Sequence, residues 1–353
     1  EEVARIVGFD AIDHRPPVAP LVMAHQPEGQ RTKSQLRNRM VGADYNEVVT
    51  YSFIDRALAE AFAQPSQLLP LQNPIAAQMA VMRPSLVPGL LTALTDNLAR
   101  KESRVRVFEI GRKFIKDASV KAGPWSVQGV HQPVQLAALA YGDALGEQWA
   151  TPARWVDFFD LKADLERLVS PLSLAFERPG AGEAIPAAGA QGLLANLHPG
   201  RAALVLLAGQ VIGAMGELHP KLCQTLELAK APVVFEIDLD AVLPRPIAQP
   251  SALSKFPAVT RDLAFVMPEQ TAAGQVIAKV QEAARKAPNG QRLQRVVVFD
   301  EYRGTGLSDG EKSLAFRFVL QDTEKTLEDS EVDALMSVFS DTVQTAFSAR
   351  VRR

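Results

Sequence analysis

VRVFEIGRKFIKD, residues Val105–Asp117, decides how the rest of the chain is read. Its first part alternates apolar and polar residues, the pattern of a strand half-buried on a sheet. Just before it, SLVPGLLTALTDNLAR (85–100) places Leu86, Leu90, Leu91, Leu94 and Leu98 on one helical face, with Ser85 as N-cap. After it, four strand candidates crowd together: PVQLAALAY, AALVLLAG, QVIGAMGEL and PVVFEIDL. The helix WVDFFDLKADLERLV, begun by Asp157 or Asp160, falls among them, while RTKSQLRNRMVGA near the start reads as helix and EVVTYSF as β-rich. Runs of strands with interspersed helices predict an antiparallel-rich α+β layer rather than a regular βαβ winding.

At 353 residues the chain is too long for one small core, so at least two domains are expected. With 47% hydrophobic and 22% charged residues, the composition is that of an ordinary globular protein. The longest apolar runs are too short to span a membrane. No basic segment with an apolar core opens the chain, which begins EEVARIVGFD as if continuing from something longer. A single cysteine, Cys223, can form no internal disulfide and reads as a small buried apolar side chain, in keeping with a reducing compartment. A net charge of −2 supplies no global basic field.

Proline and glycine divide the chain. RPPVAP (15–20) ends a short amphipathic helix, and KAGPWSVQGVHQP and RPGAGEAIPAAGAQG (178–192) read as long loops. LPRPIAQP (243–250) is the strongest linker. Beyond it the order is RDLAFVM strand, AAGQVIAKVQEAARKA helix, RLQRVVVFDEYRG and KSLAFRFVLQ strands, EDSEVDALMSVFSDTVQTAF helix and SARVR strand. That is β-α-β-β-α-β, the ferredoxin-like order.

The five histidines, His14, His25, His131, His198 and His219, show no metal-ligand spacing. RGTGLSDGEKS (303–313) imitates a phosphate loop, but Glu311 parts Gly310 from Lys312 and the segment joins two strands, so it reads as a hairpin turn. Alternation puts Glu236, Asp238 and Asp240 on one strand face, as a solvated edge or a divalent-metal site. Glu1 and Glu2 suit a helix start, where they complement the backbone dipole.

MRPSLVPGLLTALTDNLARKESRVRVFEIGRKF closely resembles the class II aminoacyl-tRNA synthetase stretch leading into motif 2. There Phe-Glu-Ile-Gly-Arg precedes Phe-Arg-x-Glu, whose arginine clamps the α-phosphate of ATP against its developing charge. Here Phe108–Arg112 is followed by Phe114 and then Ile115, which carries no charge and donates no hydrogen bond. GAMGELHP (213–220), the nearest candidate for the third motif, lacks its arginine as well. The resemblance therefore implies a synthetase core without adenylation chemistry.

With NEVVTYSFID, LQNPIAAQMAVMRPSLVPGLL, FFDLKADLE, SKFPAVTRDLAFV, VVVFDEYRGTGLSDGEKSLAFRFVLQDTEKTLED and ARVR in order, the whole chain resembles the C-terminal part of the β subunit of bacterial phenylalanyl-tRNA synthetase. The resemblance implies the end of a preceding B5-type domain at 1–20, a non-catalytic class II-like domain at 21–243, a linker at 244–250 and a ferredoxin-fold anticodon-binding domain at 251–353. It implies a cytoplasmic heterotetramer of two α and two β subunits, with ATP and phenylalanine on α, tRNA(Phe) as partner, and neither membrane nor DNA. It also implies a Mg2+ site using Glu1 and Glu2, with two aspartates upstream of this sequence. Editing would belong to a domain outside it.

Within the last domain, Leu314, Phe316, Phe318 and Leu320 should face the helices, leaving Ser313, Ala315, Arg317 and Val319 on an open face short of aromatics. Lys255, Arg261, Arg303, Lys312, Arg350, Arg352 and Arg353 are the local cations expected to help hold RNA, with Ser313 and Arg317 between them. Two rival readings are an autonomous adenylate-forming ligase using Arg83 and Arg112 on phosphate, and a free-standing RNA-binding protein.

Overall fold

The computed structural model describes the chain except residues 14, 17, 22, 24–26, 181–187, 251 and 353. His14, His25, Arg353 and the middle of the loop expected at 178–192 thus lie outside the described residues, and that loop's end is helical from Ala188. The chain starts with helix α1 (Glu2–Val7). Helix α2 (Lys33–Gly42) follows, held by a capping box between Thr32 and Gln35. Of the expected EVVTYSF strand only the ends form, β1 (Asn46–Glu47) and β2 (Phe53–Ile54). Helix α3 (Arg56–Phe62), β3 (Val81–Met82), α4 (Val87–Ala99), β4 (Val105–Arg112), β5 (Ile115–Lys116), β6 (Val130–His131) and β7 (Val134–Tyr141) come next.

Helix α5 (Phe158–Val169) begins as its sequence predicts: the Asp157 carboxylate accepts from the backbone of Phe159 and Asp160. Then come β8 (Leu174–Glu177), α6 (Ala188–Leu194), β9 (Leu197–Leu207), β10 (Gln210–Leu218), α7 (Pro220–Thr225), β11 (Val233–Asp238) and the single turn α8 (Leu239–Val242). Seven strands make one sheet in the order β1-β4-β7-β11-β10-β9-β8. Every pairing in it is antiparallel except that of β1 with β4.

Strand β4 is not half-buried, as its alternation predicted, but covered on both sides. Val105 and Val107 pack with Leu90, Leu91 and Leu94 of α4, and Phe108 packs with Leu36 of α2 and Leu161 of α5. Two of its charged residues, Arg106 and Glu109, are therefore paired inside rather than solvated. Arg106 donates to Asp164 Oδ2 at 3.0 Å, and the Tyr45 hydroxyl donates to the same oxygen at 3.0 Å. Burial pushes the Tyr45 phenol well up from its ordinary value.

The segment after β11 is pinned back on this unit, with Arg245 N–H donating to the Gly29 carbonyl. A second, separate sheet contains β12 (Val259–Pro268), β13 (Leu293–Tyr302), β14 (Glu311–Leu320) and β15 (Arg350–Val351), in the order β13-β14-β12-β15 and wholly antiparallel. Helices α9 (Ala273–Lys286) and α10 (Asp329–Phe347) cover one face. Phe265, Phe316, Phe318 and Phe339 form its centre, with Phe318 stacked on Phe339 at 5.8 Å. This is the predicted βαββαβ fold, and the whole chain is α+β with antiparallel sheets.

Candidate functional site

Two surfaces carry the candidate residues. The first is the face of the seven-stranded sheet toward α4. Arg83, 3% exposed, is tied at three points. Its Nε donates to the Arg112 carbonyl at 2.9 Å, and one terminal nitrogen donates to Thr50 Oγ1 at 2.9 Å and Glu109 Oε1 at 2.8 Å. The Thr50 hydroxyl donates in turn to Glu109 Oε2 at 2.7 Å, closing the ring. Gly111 makes room for it, because a Cβ there would stand 2.4 Å from the Arg83 guanidinium. A guanidinium so engaged is not available to a phosphate. Arg112, exposed, points to the Gln132 carbonyl at 2.7 Å.

Ile115, where the motif 2 arginine would stand, is buried and pairs with His131 across β5 and β6. Its neighbour Lys116 is exposed. The stretch GAMGELHP runs through the end of β10 into α7, whose first turn is capped by His219 Nδ1 accepting from Lys221 N–H at 3.1 Å.

In the acidic run after Val233, Glu236 and Asp238 share a strand face while Asp240 falls in the short helix that follows, and the three are neither a solvated edge nor a metal set. Glu236, 3% exposed, accepts from Ser85 Oγ at 2.9 Å and Leu86 N–H at 2.8 Å, anchoring the start of α4. The strand stops at Asp238, which caps the short helix containing Asp240. Among the described residues no three His, Cys, Asp or Glu side chains could hold a metal ion together. Cys223 is buried, which pushes its thiol up. Glu1 and Glu2 lie on an exposed helix start, with Glu2 paired to Arg5 at 2.8 Å. Two such carboxylates, one already engaged, do not by themselves fit the near-octahedral oxygen shell of Mg2+.

The second surface is the uncovered face of the four-stranded sheet. Arg317 holds Asp262 by two bonds, 2.9 and 2.7 Å, and lies over the ring of Phe299 at 4.9 Å. The hydrogen-bonded guanidinium holds the Asp262 carboxyl below its usual value. Arg352 lies over Tyr302 at 4.5 Å, and Arg350 clamps Glu311 with a second bond of 2.8 Å. This face therefore has two aromatics, contrary to expectation. Both come from β13, whose bulge between Val298 and Asp300 shifts the phase so that Tyr302 comes opposite Ser313.

The cations do not all stand free. Ser313, expected in the open, is 3% exposed: Arg350 and Arg352, running across from β15 to Glu311 and Tyr302, roof it over. Lys312, expected at the surface, is 7% exposed and its ammonium reaches Glu301 at 3.3 Å on the helix side of the sheet. Arg261 pairs with Asp329 at 2.6 Å at the start of α10. Arg303 bridges Glu301 at 3.0 Å and Glu269 at 3.6 Å in the hairpin turn. Lys255 is exposed. Arg317, Arg350 and Arg352 are thus brought together on one face, while Arg261, Arg303 and Lys312 lie at its margins or beneath it.

An antiparallel synthetase-type sheet followed by a ferredoxin-like unit is the layout of a tRNA synthetase component. Residues 12–239 match the family model described as "Phenylalanyl tRNA synthetase beta chain CLM domain", and residues 254–352 match "Ferredoxin-fold anticodon binding domain". The chain belongs to the phenylalanyl tRNA synthetase beta chain family. It is 44% identical over 356 residues to the phenylalanine–tRNA ligase beta subunit of Ralstonia nicotianae, covering 100% of this chain and 42% of that protein. The beta subunit of Aromatoleum aromaticum is 44% identical over 352 residues, again with 100% and 42% covered. The chain thus spans less than half the length of these curated relatives. Among solved structures, a pyrrolysyl tRNA synthetase from Desulfitobacterium hafniense matches at TM-score 0.41 and 16% identity, over 60% of this chain and 64% of that one, a likeness too loose to carry weight.

Proposed function

We propose that this chain is the non-catalytic beta-subunit portion of phenylalanine–tRNA ligase, supporting the catalytic alpha subunit and binding tRNA(Phe). The observation that carries this reading is the ATP-clamping position on the sheet: Ile115 is buried there, and the one buried arginine nearby, Arg83, is committed to Thr50, Glu109 and the Arg112 carbonyl. With Arg83 so committed and Arg112 turned to the Gln132 carbonyl, the rival that uses these two arginines as a phosphate clamp loses its footing.

In this reading residues 1–20 end a preceding domain, 21–243 form the catalytic-like module, 244–250 link, and 251–353 bind the anticodon region. Two alpha and two beta subunits assemble in the cytoplasm. ATP and phenylalanine are used by alpha, and Glu1 and Glu2 contribute to the Mg2+ site of the full-length subunit only with ligands from elsewhere. Arg317, Arg350 and Arg352, with Phe299 and Tyr302, form the RNA-facing surface, flanked by Lys255, Arg261 and Arg303. Unpaired bases stack on such platforms. The test is binding of the chain, alone and with the alpha subunit, to tRNA(Phe) and to the same transcript with its anticodon replaced, at fixed salt. Preference for the native anticodon supports the reading. Equal affinity for both transcripts in the assembled enzyme refutes anticodon recognition by this domain. Adenylate formation by the chain alone refutes the non-catalytic role.

A further inference from the structure

We propose that the hollow at the outer edge of the four-stranded sheet is a binding site for an adenine nucleotide, its base against an apolar floor and its phosphate on two arginines. The hollow measures about 440 Å³, within the range of small-molecule sites, and lies where α9 and the turn Gly290–Arg292 meet the start of β13. Ala284, Ala287, Leu293 and Val296 form its floor. Small residues create the space. A Cβ at Gly290 would fall 1.8 Å from the Ala284 carbonyl oxygen, so the turn lies directly on the helix, and the two alanines leave the room beside it unfilled. Among the described residues no strand pairs with the outer side of β13, so backbone donors and acceptors there stay open to the edge of a base.

The rim is made of Gln281, Arg285, Gln291, Gln294 and Arg295, all exposed, and it includes no carboxylate. Gln281 and Arg285 stand one helical turn apart on the same face of α9. Among the described residues neither arginine has an ion-pair partner, whereas Arg261, Arg292, Arg317 and Arg350 of the same unit are each held by a carboxylate. The neighbouring acid on the helix, Glu282, is taken by Lys279 and Lys286. Two guanidiniums without counter-charge complement a phosphate, and the fork of each can hold it by paired N–H bonds. Each glutamine amide sets a donor beside an acceptor, the pattern that matches adenine N6 and N7. A free mononucleotide and an unpaired adenosine in an RNA strand offer the same chemistry. The site itself does not rest on anticodon recognition, and Phe299 and Tyr302 lie further along β13.

Isothermal titration calorimetry of the whole chain tests it, with AMP, adenosine and ribose 5-phosphate as probes. AMP should saturate with a Kd of about 1 mM or tighter, and the other two, lacking the phosphate or the base, should bind at least about 10-fold more weakly. Arg285→Gln and Arg295→Gln, both at exposed positions, should each weaken AMP at least about 10-fold. Ala287→Leu fills the hollow without touching its charge and should weaken AMP as well, so a folding defect in one variant does not decide the matter. Repeating the AMP titration on the chain assembled with the alpha subunit and saturated with tRNA(Phe) separates the two sources. An RNA-borne adenosine excludes AMP, whereas a site for free nucleotide still takes it up. Absence of AMP saturation by the chain overturns the proposal. So does equal binding of adenosine or ribose 5-phosphate, or wild-type affinity in Arg285→Gln, Arg295→Gln or Ala287→Leu.

Discussion

Glu109→Gln isolates what the buried pair on β4 does. Arg83 and Glu109 meet at 2.8 Å with both side chains 4% exposed, so neither charge has water to fall back on. Glutamine keeps an acceptor oxygen for Arg83 and can donate its amide N–H to the Thr50 hydroxyl oxygen, so both contacts stay hydrogen-bonded while the counter-charge is removed. Breaking a buried pair from one side costs roughly 3–5 kcal/mol, and with hydrogen bonds retained the low end, about 3 kcal/mol, is expected. With a urea dependence of about 3 kcal/mol per molar for a unit of this size, the midpoint should fall by about 1 M. All three tryptophans, Trp125, Trp149 and Trp155, lie before the linker, so their fluorescence reports on this unit alone. Replacing both partners, with Arg83→Met and Glu109→Leu, should recover much of the loss, since an apolar pair of similar volume is often neutral. A midpoint within about 0.3 M of wild type for Glu109→Gln would refute the reasoning and return Arg83 to the list of residues free to meet a ligand.

Other outcomes follow from the same geometry. Gly111→Ala drives a Cβ to within 2.4 Å of Arg83, and overpacking of this kind should cost about 1–3 kcal/mol. Because it disturbs the same ring, its combination with Glu109→Gln should cost less than the sum, which urea titration of the double variant checks. Phe299→Ala, removing the ring beneath Arg317, should weaken tRNA(Phe) binding by the assembled enzyme about 10-fold, measured by filter binding at fixed salt. Unchanged affinity would take the open face out of RNA contact. Glu311 and Glu331 are held down to about 2, by Arg350 and Lys325 respectively, from an ordinary 4.5. Depressed carboxyls bind fewer protons folded than unfolded at acid pH. Their stabilisation is therefore present above about pH 4.5 and disappears as pH falls toward 2. Calorimetric melting of the second unit should decline across that window, and Glu311→Gln with Glu331→Gln should flatten the decline.

The βαββαβ order was legible because its signals are local: Phe316 and Phe318 alternate toward the helices, and the glycine-rich turn at 303–310 closes a hairpin. So was α5, where Asp157 announces the first turn. The charged residues were harder. Arg106 and Glu109 alternate on β4 just as solvent-facing residues would, and only the elements packed above each face, α5 with Asp164 and the segment bearing Arg83, reveal that they are buried partners. Glu236 likewise looks like a surface acid until α4 is seen to start on it. Ser313 had the right face but not the right exposure, because its cover comes from β15, far along the chain. Tyr302 escaped for another reason: a bulge changes the period of β13, and no alternation rule anticipates where it falls.

The fixing of Arg317 has a consequence for whatever meets that sheet. A solvent-borne arginine gives up rotamer freedom when it docks, a loss of roughly 0.5–1.5 kcal/mol per side chain. Held by two bonds to Asp262 and seated on Phe299, this one has already surrendered it during folding. Its flat outer surface behaves as part of the protein's rigid wall. A partner that stacks there meets a plate set in advance, and nothing in a flat plate distinguishes one base from another.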